Sequence, residues 1–270
     1  MKIVDAFIFY NELNMLTYRL NVLNDVVDLF VIVEANQTFT GKPKPLFFRD
    51  NAHLYEKFAH KIVHHVVDLP FANPNPETKE QWENEWHQRN SIQDAIAPLG
   101  LEPNDILCVS DLDEITDPKL LEEIRSGRLV IDRTYKLNQE TYYYNLNSKH
   151  TVDIFAAFVT TIFMYHDDRA TLGLTTSGLR NEFNRLPTIW KAGWHLSFFG
   201  DVAFIQNKLR MYSHQEYLNE IESVEERMKK CQEPFVRPEW DSRFKLYRVE
   251  TIDNKNLPPL YQKYLRAFYE

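Results

Sequence analysis

The chain has 270 residues, a formal net charge of -8, 44% hydrophobic residues and 26% charged residues. This length supports a large domain with a full core, and an acidic chain without a basic stripe is not typical of nucleic-acid-binding proteins. No stretch approaches the ~20 apolar residues of a membrane span, and no signal-peptide pattern precedes the first apolar run. Two cysteines do not form a disulfide framework. We therefore expect a cytoplasmic protein without a nucleic-acid partner or a membrane span.

The first part of the chain alternates between apolar runs of strand length and segments with helical spacing. Strands are predicted at Ile3 to Phe9, Leu29 to Ala35, Ile62 to Val67 and Ile106 to Val109, and helices at Glu12 to Asn24, Ala52 to His60 and Lys79 to Leu99. The first strand, helix and strand form a βαβ unit, whose strands run parallel. We expect residues 1–115 to form a Rossmann-like half with a mostly parallel sheet.

The pattern changes after a helix predicted at Pro118 to Ser126, for which Asp117 is the expected N-cap. Further strands are predicted at Tyr135 to Asn145, Phe155 to Tyr165 and Ile189 to Phe199, followed by a charged helix at Glu216 to Lys230. The α/β chain is therefore expected to be one domain over residues 1–270, with a smaller mixed half at 116–270.

Three carboxylates follow the fourth strand directly: Asp111, Asp113 and Glu114. On an extended backbone Asp111 and Asp113 project to the same side, and a divalent cation is the usual way to keep two adjacent carboxylates ionised. Oxygen ligands suit Mg²⁺ or Mn²⁺, which often bind a substrate diphosphate as well. Ligands bind at the carboxyl ends of strands in open α/β sheets, so this position favours a metal site over a capping loop. Glu114 is expected to support the site or the structure.

Five ordered sequence blocks between Asp5 and His214 resemble glycosyltransferase family 17, the family of the β-1,4-mannosyl-glycoprotein β-1,4-N-acetylglucosaminyltransferase. The blocks are D-A-F-I-F-Y-N-E-L with Arg19 shortly after it, V-V-D-L-F-V-I-V-E-A, T-F-T-G-K-P-K-P-L, S-D-L-D-E-I and A-G-W-H-L-S-F-F. The resemblance is to short microbial or viral members, because no membrane anchor and stem precede the first strand. It implies a GT-A-like fold and an inverting transfer of a sugar, GlcNAc first, from a UDP-sugar to a polysaccharide or glycoprotein glycan, with Mn²⁺ or Mg²⁺.

The resemblance also suggests roles for individual residues. Asp111 and Asp113 are the expected metal ligands, and His195 or His214 from the second half is expected to complete the shell. Nucleotide contacts are expected from Glu12, Glu34, Thr40, Gly41, Lys42, Arg89 and Asp111, with Lys42 or Arg89 on the diphosphate. Asp201 is the first choice for the general base, with Glu182, Asp167 and Asp168 as rivals.

Three alternatives stay open at this point. A transferase of the same fold could use UDP-xylose or UDP-glucose. A metal-dependent nucleotide-sugar hydrolase would use its carboxylates to activate water, but few His and Asp ligands cluster in this sequence. A silent glycan-binding module would have no need for two repelling carboxylates at Asp111 and Asp113.

Overall fold

The computed structural model describes residues 1–234 and 245–268, with the backbone alone at 217–220. The strands are β1 (Ile3–Phe9), β2 (Leu29–Ala35), β3 (Ile62–Val67), β4 (Ile106–Asp111), β5 (Glu114–Thr116), β6 (Tyr135–Leu137), β7 (Glu140–Tyr143), β8 (Ser148–His150), β9 (Phe158–Thr161), β10 (Thr188–Ile189), β11 (Gly193–Ser197) and β12 (Leu246–Arg248). The α-helices are α1 (Leu13–Leu23), α2 (Phe47–Asp50), α3 (Glu80–Asn90), α4 (Ile92–Ile96), α5 (Pro118–Arg125), α6 (Ile162–Leu172), α7 (Thr176–Arg180), α8 (Val202–Met211), α9 (Val224–Lys229) and α10 (Tyr261–Tyr264). Segments Ala52–Lys61, Ala97–Leu99, Gln215–Ser223 and Arg266–Phe268 are 3-10 helices.

The larger sheet has the strand order β10-β6-β9-β4-β1-β2-β3. Strands β3, β2, β1 and β4 are parallel neighbours, and β9 runs antiparallel to β4. Alternate residues of β1 enter two separate cores: Ile3 and Phe7 pack on one face, and Val4 and Ala6 on the other. Burial on both faces explains why β1, β2 and β4 are nearly continuous apolar runs, whereas the edge strand β3 is half-buried and contains His64 and His65.

The smaller sheet has the strand order β12-β8-β7-β11-β5. Four of its five strands come from residues 116–270. Strand β11 pairs antiparallel with β5, which sets His195 opposite Glu114. The pairing begins at Gly193, whose φ is 147° and where a Cβ would lie 2.0 Å from the carbonyl oxygen of Ile115. Only glycine permits this approach, and the approach brings His195 beside the acidic turn.

The α/β class with a mostly parallel central sheet and the parallel βαβ start are confirmed, and β1, β2 and β3 have the predicted bounds. Asp117 is also the predicted N-cap, because its Oδ1 accepts from the Lys119 amide at 3.0 Å. The division at residue 115 stays a prediction. No helix in the described residues is long and apolar enough to cross a membrane.

Several predicted elements are wrong in length or type. Phe155 to Tyr165 is not one strand, because the Thr161 hydroxyl accepts a hydrogen bond from the Met164 amide at 3.2 Å and starts α6 there. The helix predicted at Lys79 to Leu99 is divided at Ser91 into α3 and α4. The segments predicted at Tyr135 to Asn145 and Ile189 to Phe199 each contain two shorter strands, and those predicted as helices at Ala52 to His60 and Glu216 to Lys230 are wholly or partly 3-10.

Candidate active site

A buried arginine holds the acidic turn that follows β4. Arg19 is fully buried and forms a bidentate ion pair with Asp5 at 2.5 and 2.7 Å. Its Nη1 donates to the carbonyl oxygens of Asp111, Leu112 and Glu114 at 2.9 to 3.0 Å. The backbone therefore turns after Asp111, and the predicted extended path is wrong. Three converging carbonyls fix the turn that carries both aspartates.

This turn forms part of a cavity of about 350 Å³ at the carboxyl edge of the larger sheet. The lining residues that carry charge are Glu12, Lys44, Glu85, Arg89, Asp111, Asp113, Arg180 and Lys208, together with His195 and His214. Aromatic side chains, including Tyr10, Trp82 and Trp86, cover other parts of the wall. A concave site with converging polar groups at this sheet edge is where an α/β protein binds ligands.

Two arginines hold the carboxylate of Asp111. Its Oδ1 lies 3.0 Å from Nη2 of Arg89, and its Oδ2 lies 2.7 Å from Nη2 of Arg180. Arg180 also pairs with the buried carboxylate of Glu114 at 2.6 and 2.7 Å. Burial alone would raise the pKa of Asp111, but the two guanidinium groups outweigh it and lower that pKa. Asp111 is therefore ionised at neutral pH.

A lysine and a histidine hold the carboxylate of Asp113. Nζ of Lys208 lies 3.1 Å from Oδ2 of Asp113 and 3.0 Å from Oε1 of Glu12, and Nε2 of His195 lies 3.6 Å from Oδ1 of Asp113. Burial opposes ionisation, but Lys208 and His195 hold the pKa of Asp113 well below its usual range. Conversely, burial lowers the pKa of His195, and the carboxylate of Asp113 more than offsets this, so the pKa is raised. Cationic side chains of the protein thus keep both aspartates ionised. From the sequence, a divalent metal was expected to do this.

Two protein carboxylates with a histidine beside them fit a divalent cation whose other ligands come from a substrate diphosphate and water. Nδ1 of His195 is buried and has no hydrogen-bond partner among the described residues, so this nitrogen can bind a ligand without breaking an existing hydrogen bond. In the part of the chain that the structure describes, no group of three or more His, Cys, Asp or Glu side chains could hold a metal by itself. Asp111 and Asp113 would therefore supply only part of a metal's ligands, and substrate and water would supply the rest.

Some of the residues predicted to contact the nucleotide line the cavity, and others lie outside its lining. Glu12 and Arg89 line the cavity, whereas Glu34 lies outside its lining and is fully buried, with its Oε2 2.9 Å from His64. Thr40, Gly41 and Lys42 also lie outside the lining, although neighbouring residues of the same loop line it. Gly41 has a φ of 80° and packs against the backbone of Ala72, so the loop needs glycine there.

The two predicted histidines occupy different walls. His195 faces Asp113, whereas His214 lies with its ring edge on Trp82, at 4.3 Å between ring centroids, and its Nδ1 is 2.6 Å from Glu216. Both histidines line the cavity. The structure joins only His195 to the aspartate pair by a described contact.

None of the predicted bases lines the cavity. Asp201 is exposed and caps α8 by accepting from the Phe204 amide at 2.8 Å, and Glu182 accepts from the amides of Asn184 and Arg185 at 3.0 and 3.1 Å. Asp167 is exposed on α6, and Asp168 accepts from the hydroxyl of Thr134. Their catalytic role stays a prediction that this geometry does not support.

Sequence reasoning did not single out Arg180, Lys208, Lys44, Glu85 or the two tryptophans as site residues. Nothing next to Arg180 or Lys208 in the sequence indicates a site, because each reaches the turn from a distant helix. For Glu85 a signal exists: Trp82, Glu85, Trp86 and Arg89 share one face of a helix.

The family model of glycosyltransferase family 17 matches residues 1–237. The β-1,4-mannosyl-glycoprotein 4-β-N-acetylglucosaminyltransferases of Rattus norvegicus and Homo sapiens are each 31% identical to this chain over 118 residues. That match covers 42% of this chain and only 21% and 22% of the two relatives.

Two solved enzyme structures match this chain over most of its length. The M. tuberculosis glucosyl-3-phosphoglycerate synthase is 12% identical, with a TM-score of 0.34 over 97% of this chain and 91% of that chain. The 2-C-methyl-D-erythritol 4-phosphate cytidylyltransferase of Francisella tularensis is 9% identical, with a TM-score of 0.37 over 77% and 98%. Because the family model matches most of its length, this chain belongs to glycosyltransferase family 17, a family of enzymes that transfer sugars.

Proposed function

We propose that this protein transfers GlcNAc from UDP-GlcNAc to a hydroxyl group of a glycan, with inversion at the anomeric carbon. The observation that carries the proposal is the pair Asp111 and Asp113, at the carboxyl end of β4 in a cavity that also presents Arg89, Arg180 and Lys208. Carboxylates and cations at one sheet edge suit a ligand that brings both a diphosphate and a divalent metal.

In the proposed reaction the acceptor oxygen forms a bond to the anomeric carbon, while the bond from that carbon to the β-phosphate oxygen breaks. The bonding pair leaves with UDP, and the acceptor proton passes to a carboxylate of the protein. Charge develops on the leaving diphosphate, so fixed cations beside it lower the barrier. Arg89 and Arg180 are the fixed cations here, because the half-buried Glu85 pairs with Arg89 and the buried Glu114 pairs with Arg180.

A bound Mn²⁺ or Mg²⁺ would supply further neutralisation of the diphosphate. Asp111 and Asp113 would hold it, with His195 as the neighbouring nitrogen ligand. Lys208 already contacts Asp113 at 3.1 Å, so it competes with a metal for that carboxylate. We propose that Lys208 turns from Asp113 to the diphosphate when donor and metal bind.

The nucleoside is proposed to bind at the carboxyl ends of β1 and β2. Tyr10, Glu12, Thr38 and Lys44 line the cavity there and offer a ring face, hydrogen-bond groups and a cation. The loop of Thr40, Gly41 and Lys42 supports this wall from outside.

The acceptor is proposed to be a β-mannoside, because the relatives are named for transfer to a β-1,4-mannosyl glycoprotein. The matched region spans about a fifth of those relatives.

Calorimetric titration with UDP-GlcNAc, UDP-glucose and UDP-xylose, with and without Mn²⁺, tests the donor and the metal site. We expect UDP-GlcNAc to bind most tightly and only with Mn²⁺, and this binding to be lost in Asp113→Asn. Asp25→Asn, an exposed aspartate outside the cavity lining, is the matched control and should bind like wild type. Failure of every UDP-sugar to bind wild type would refute the proposal.

Product analysis separates a transferase from a nucleotide-sugar hydrolase. A transferase incubated with UDP-GlcNAc and a β-mannoside forms a disaccharide, and little free GlcNAc appears without the acceptor. Release of free GlcNAc at the same rate with and without acceptor would favour the hydrolase.

A further inference from the structure

One face of α3 forms a wall of the cavity. Trp82, Glu85, Trp86 and Arg89 follow the spacing i, i+3, i+4 and i+7, and all four line the cavity. Buried amides fix the helix to the sheet edge: Nε2 of Gln88 donates to the carbonyls of Phe9 and Val33 at 3.2 and 2.8 Å. This wall is therefore rigidly placed relative to β1 and β2.

The two indole rings form an aromatic platform on this wall. Their centroids are 6.4 Å apart with the planes inclined at 39°, and Trp86 is 39% exposed. Ring faces of aromatic side chains carry partial negative charge and bind apolar or weakly positive C–H groups, which the faces of pyranose rings present. Two partly exposed indoles in a polar cavity suit a sugar chain that enters from solvent.

The platform begins next to the aspartate pair. Arg89 contacts Asp111 at 3.0 Å, and at a rise of ~1.5 Å per residue Trp86 lies about 4.5 Å, and Trp82 about 10 Å, farther along the helix axis. A glycan that lies along α3 therefore has one end near the proposed diphosphate site and the rest on the indoles.

Glu85 lies between Trp82 and Trp86 along the helix axis and pairs with Arg89, which contacts Asp111. Its Oε1 accepts from Nη2 of Arg89 at 2.8 Å and its Oε2 accepts from the hydroxyl of Ser213, while 16% of the side chain is exposed. Asp111 and Asp113 are assigned to the metal and the diphosphate, and Glu12 lies at the proposed nucleoside wall. Among the described residues that line the cavity, Glu85 is the remaining carboxylate, and it is on the same helix face as the indoles.

We propose that α3 carries the acceptor subsite: Trp82 and Trp86 stack on pyranose rings, and Glu85 accepts the proton of the attacking hydroxyl. The proposal rests on the proposed transfer of a sugar from a UDP-sugar. The proton leaves the acceptor oxygen for the Glu85 carboxylate as the new C–O bond forms, and the electron pair of the broken bond leaves with UDP.

Binding measurements test the platform. Saturation-transfer NMR and calorimetry with Manβ1,4GlcNAc, in the presence of UDP and Mn²⁺, should show an affinity about tenfold lower in Trp82→Ala and in Trp86→Ala, a loss of about 1.4 kcal/mol. Trp190→Ala is the matched control, because Trp190 is 68% exposed and lies outside the cavity lining. Trp86→Phe should retain part of the affinity, which separates loss of the ring face from loss of fold.

The affinity for UDP in the same variants decides which ligand uses the platform. We expect it to change by less than about twofold, because the nucleoside binds elsewhere. A drop in UDP affinity with glycan affinity intact would overturn the proposal, since the indoles would then bind the uracil base. Binding of UDP but not of the disaccharide by wild type would overturn it as well.

Kinetics test Glu85. Turnover in Glu85→Gln should fall at least about 100-fold, the lower end of what general-base catalysis contributes, with glycan affinity unchanged. Any fall in UDP affinity should be far smaller than the fall in turnover, because Arg89 keeps its contact with Asp111. Glu83→Gln, on the exposed side of the same helix, should keep wild-type turnover. In Glu85→Ala, azide should restore release of UDP by forming a glycosyl azide, because azide attacks without a proton to lose.

The outcomes separate this inference from the proposed function. If wild type does not bind UDP-GlcNAc, the proposed function fails, while disaccharide binding still tests the platform. If wild type transfers GlcNAc and Glu85→Gln does so at the same rate, the base assignment fails and the transferase proposal stands. Loss of turnover in Glu85→Ala without rescue by azide would show a structural role for Glu85.

Discussion

Two charged networks meet at the turn after β4, and they use their cations differently. Arg19 is fully buried and donates hydrogen bonds to Asp5 and to three backbone carbonyls of the turn. Arg180 and Lys208, from the second half, contact side-chain carboxylates at the cavity wall. The first network fixes the backbone, whereas the second holds charges that a ligand can reach.

The difference separates scaffold from binding site. A bidentate pair sealed from water has no alternative partner, so removing one member leaves an uncompensated charge. Partners at a cavity wall can exchange one ionic contact for another when a diphosphate or a metal enters. Four predictions test this contrast.

Arg19→Met should be the most damaging of these changes. It leaves Asp5 buried without its partner and removes three hydrogen bonds from the turn, so we expect a loss of about 3–5 kcal/mol in the free energy of unfolding, measured in urea. Arg125→Met is the control, because the Arg125–Asp28 pair is 37% and 38% exposed and should contribute at most about 1 kcal/mol. An equal loss of unfolding free energy in both variants would show that the buried pair contributes no more to stability than the exposed pair.

Arg180→Lys should cost about 2 kcal/mol in stability, because one ammonium cannot replace the three contacts of Arg180 with Asp111 and Glu114. Donor affinity should fall in the same variant, since Asp111 loses one of its two fixed partners. Urea unfolding and UDP-GlcNAc titration measure the two effects. A stable variant with wild-type donor affinity would show that the fork geometry is unimportant.

Lys208→Met should cost less stability than Arg180→Lys, because His195 remains beside Asp113, and it should change metal binding. With the competing ammonium gone, Mn²⁺ alone should bind about tenfold more tightly, a difference of about 1.4 kcal/mol, as measured by the electron paramagnetic resonance signal of free Mn²⁺. UDP should bind more weakly, because its diphosphate loses a cation. If Mn²⁺ affinity does not rise, Lys208 does not compete for Asp113.

The smallest effect concerns Lys136 on β6, whose ammonium donates to the carbonyls of Ala156, at 2.7 Å, and Arg180. Burial and the nearby Arg180 lower the pKa of Lys136 to about 7, against 10.5 for the ordinary side chain. Above pH 7 the unfolded chain therefore binds more protons than the folded one, and this residue makes stability rise with pH until about 10.5.

Between pH 6 and 8 the gain from Lys136 should be about 1 kcal/mol in the free energy of unfolding, relative to the pH profile of Lys136→Met. The comparison uses the slopes of the two profiles, because the variant also loses two hydrogen bonds at every pH. Parallel profiles would mean that Lys136 stays protonated throughout.

The parallel core of the fold could be predicted from local sequence, because burial on both faces makes β1 and β2 nearly continuous apolar runs. The elements that follow Ala157 could not be predicted in this way. The apolar run there reads as a strand, but one hydroxyl, that of Thr161, ends the strand and caps a helix. A hydrogen bond between a side chain and the backbone decides the element there, and hydropathy does not record it.

The part of the candidate site that could be predicted is the part whose residues are neighbours in the sequence. Asp111 and Asp113 follow their strand directly, and both line the cavity as expected. The cations beside them come from α3, α7 and α8, and no spacing in the sequence brings Arg180 or Lys208 to residue 111. Asp201 was chosen by its nearness to a matching block, but helix capping already uses its carboxylate.

The strand order has a consequence for how the chain is made. Strand β4 pairs with β1 on one side and with β9 on the other, and β9 ends 50 residues after β4 does. At a synthesis rate of about 5–20 residues per second, one edge of β4 stays open for about 2.5 to 10 s on the ribosome. An apolar strand with an open edge is a template for aggregation, so slower translation or a delay between these segments should lower the yield of folded protein.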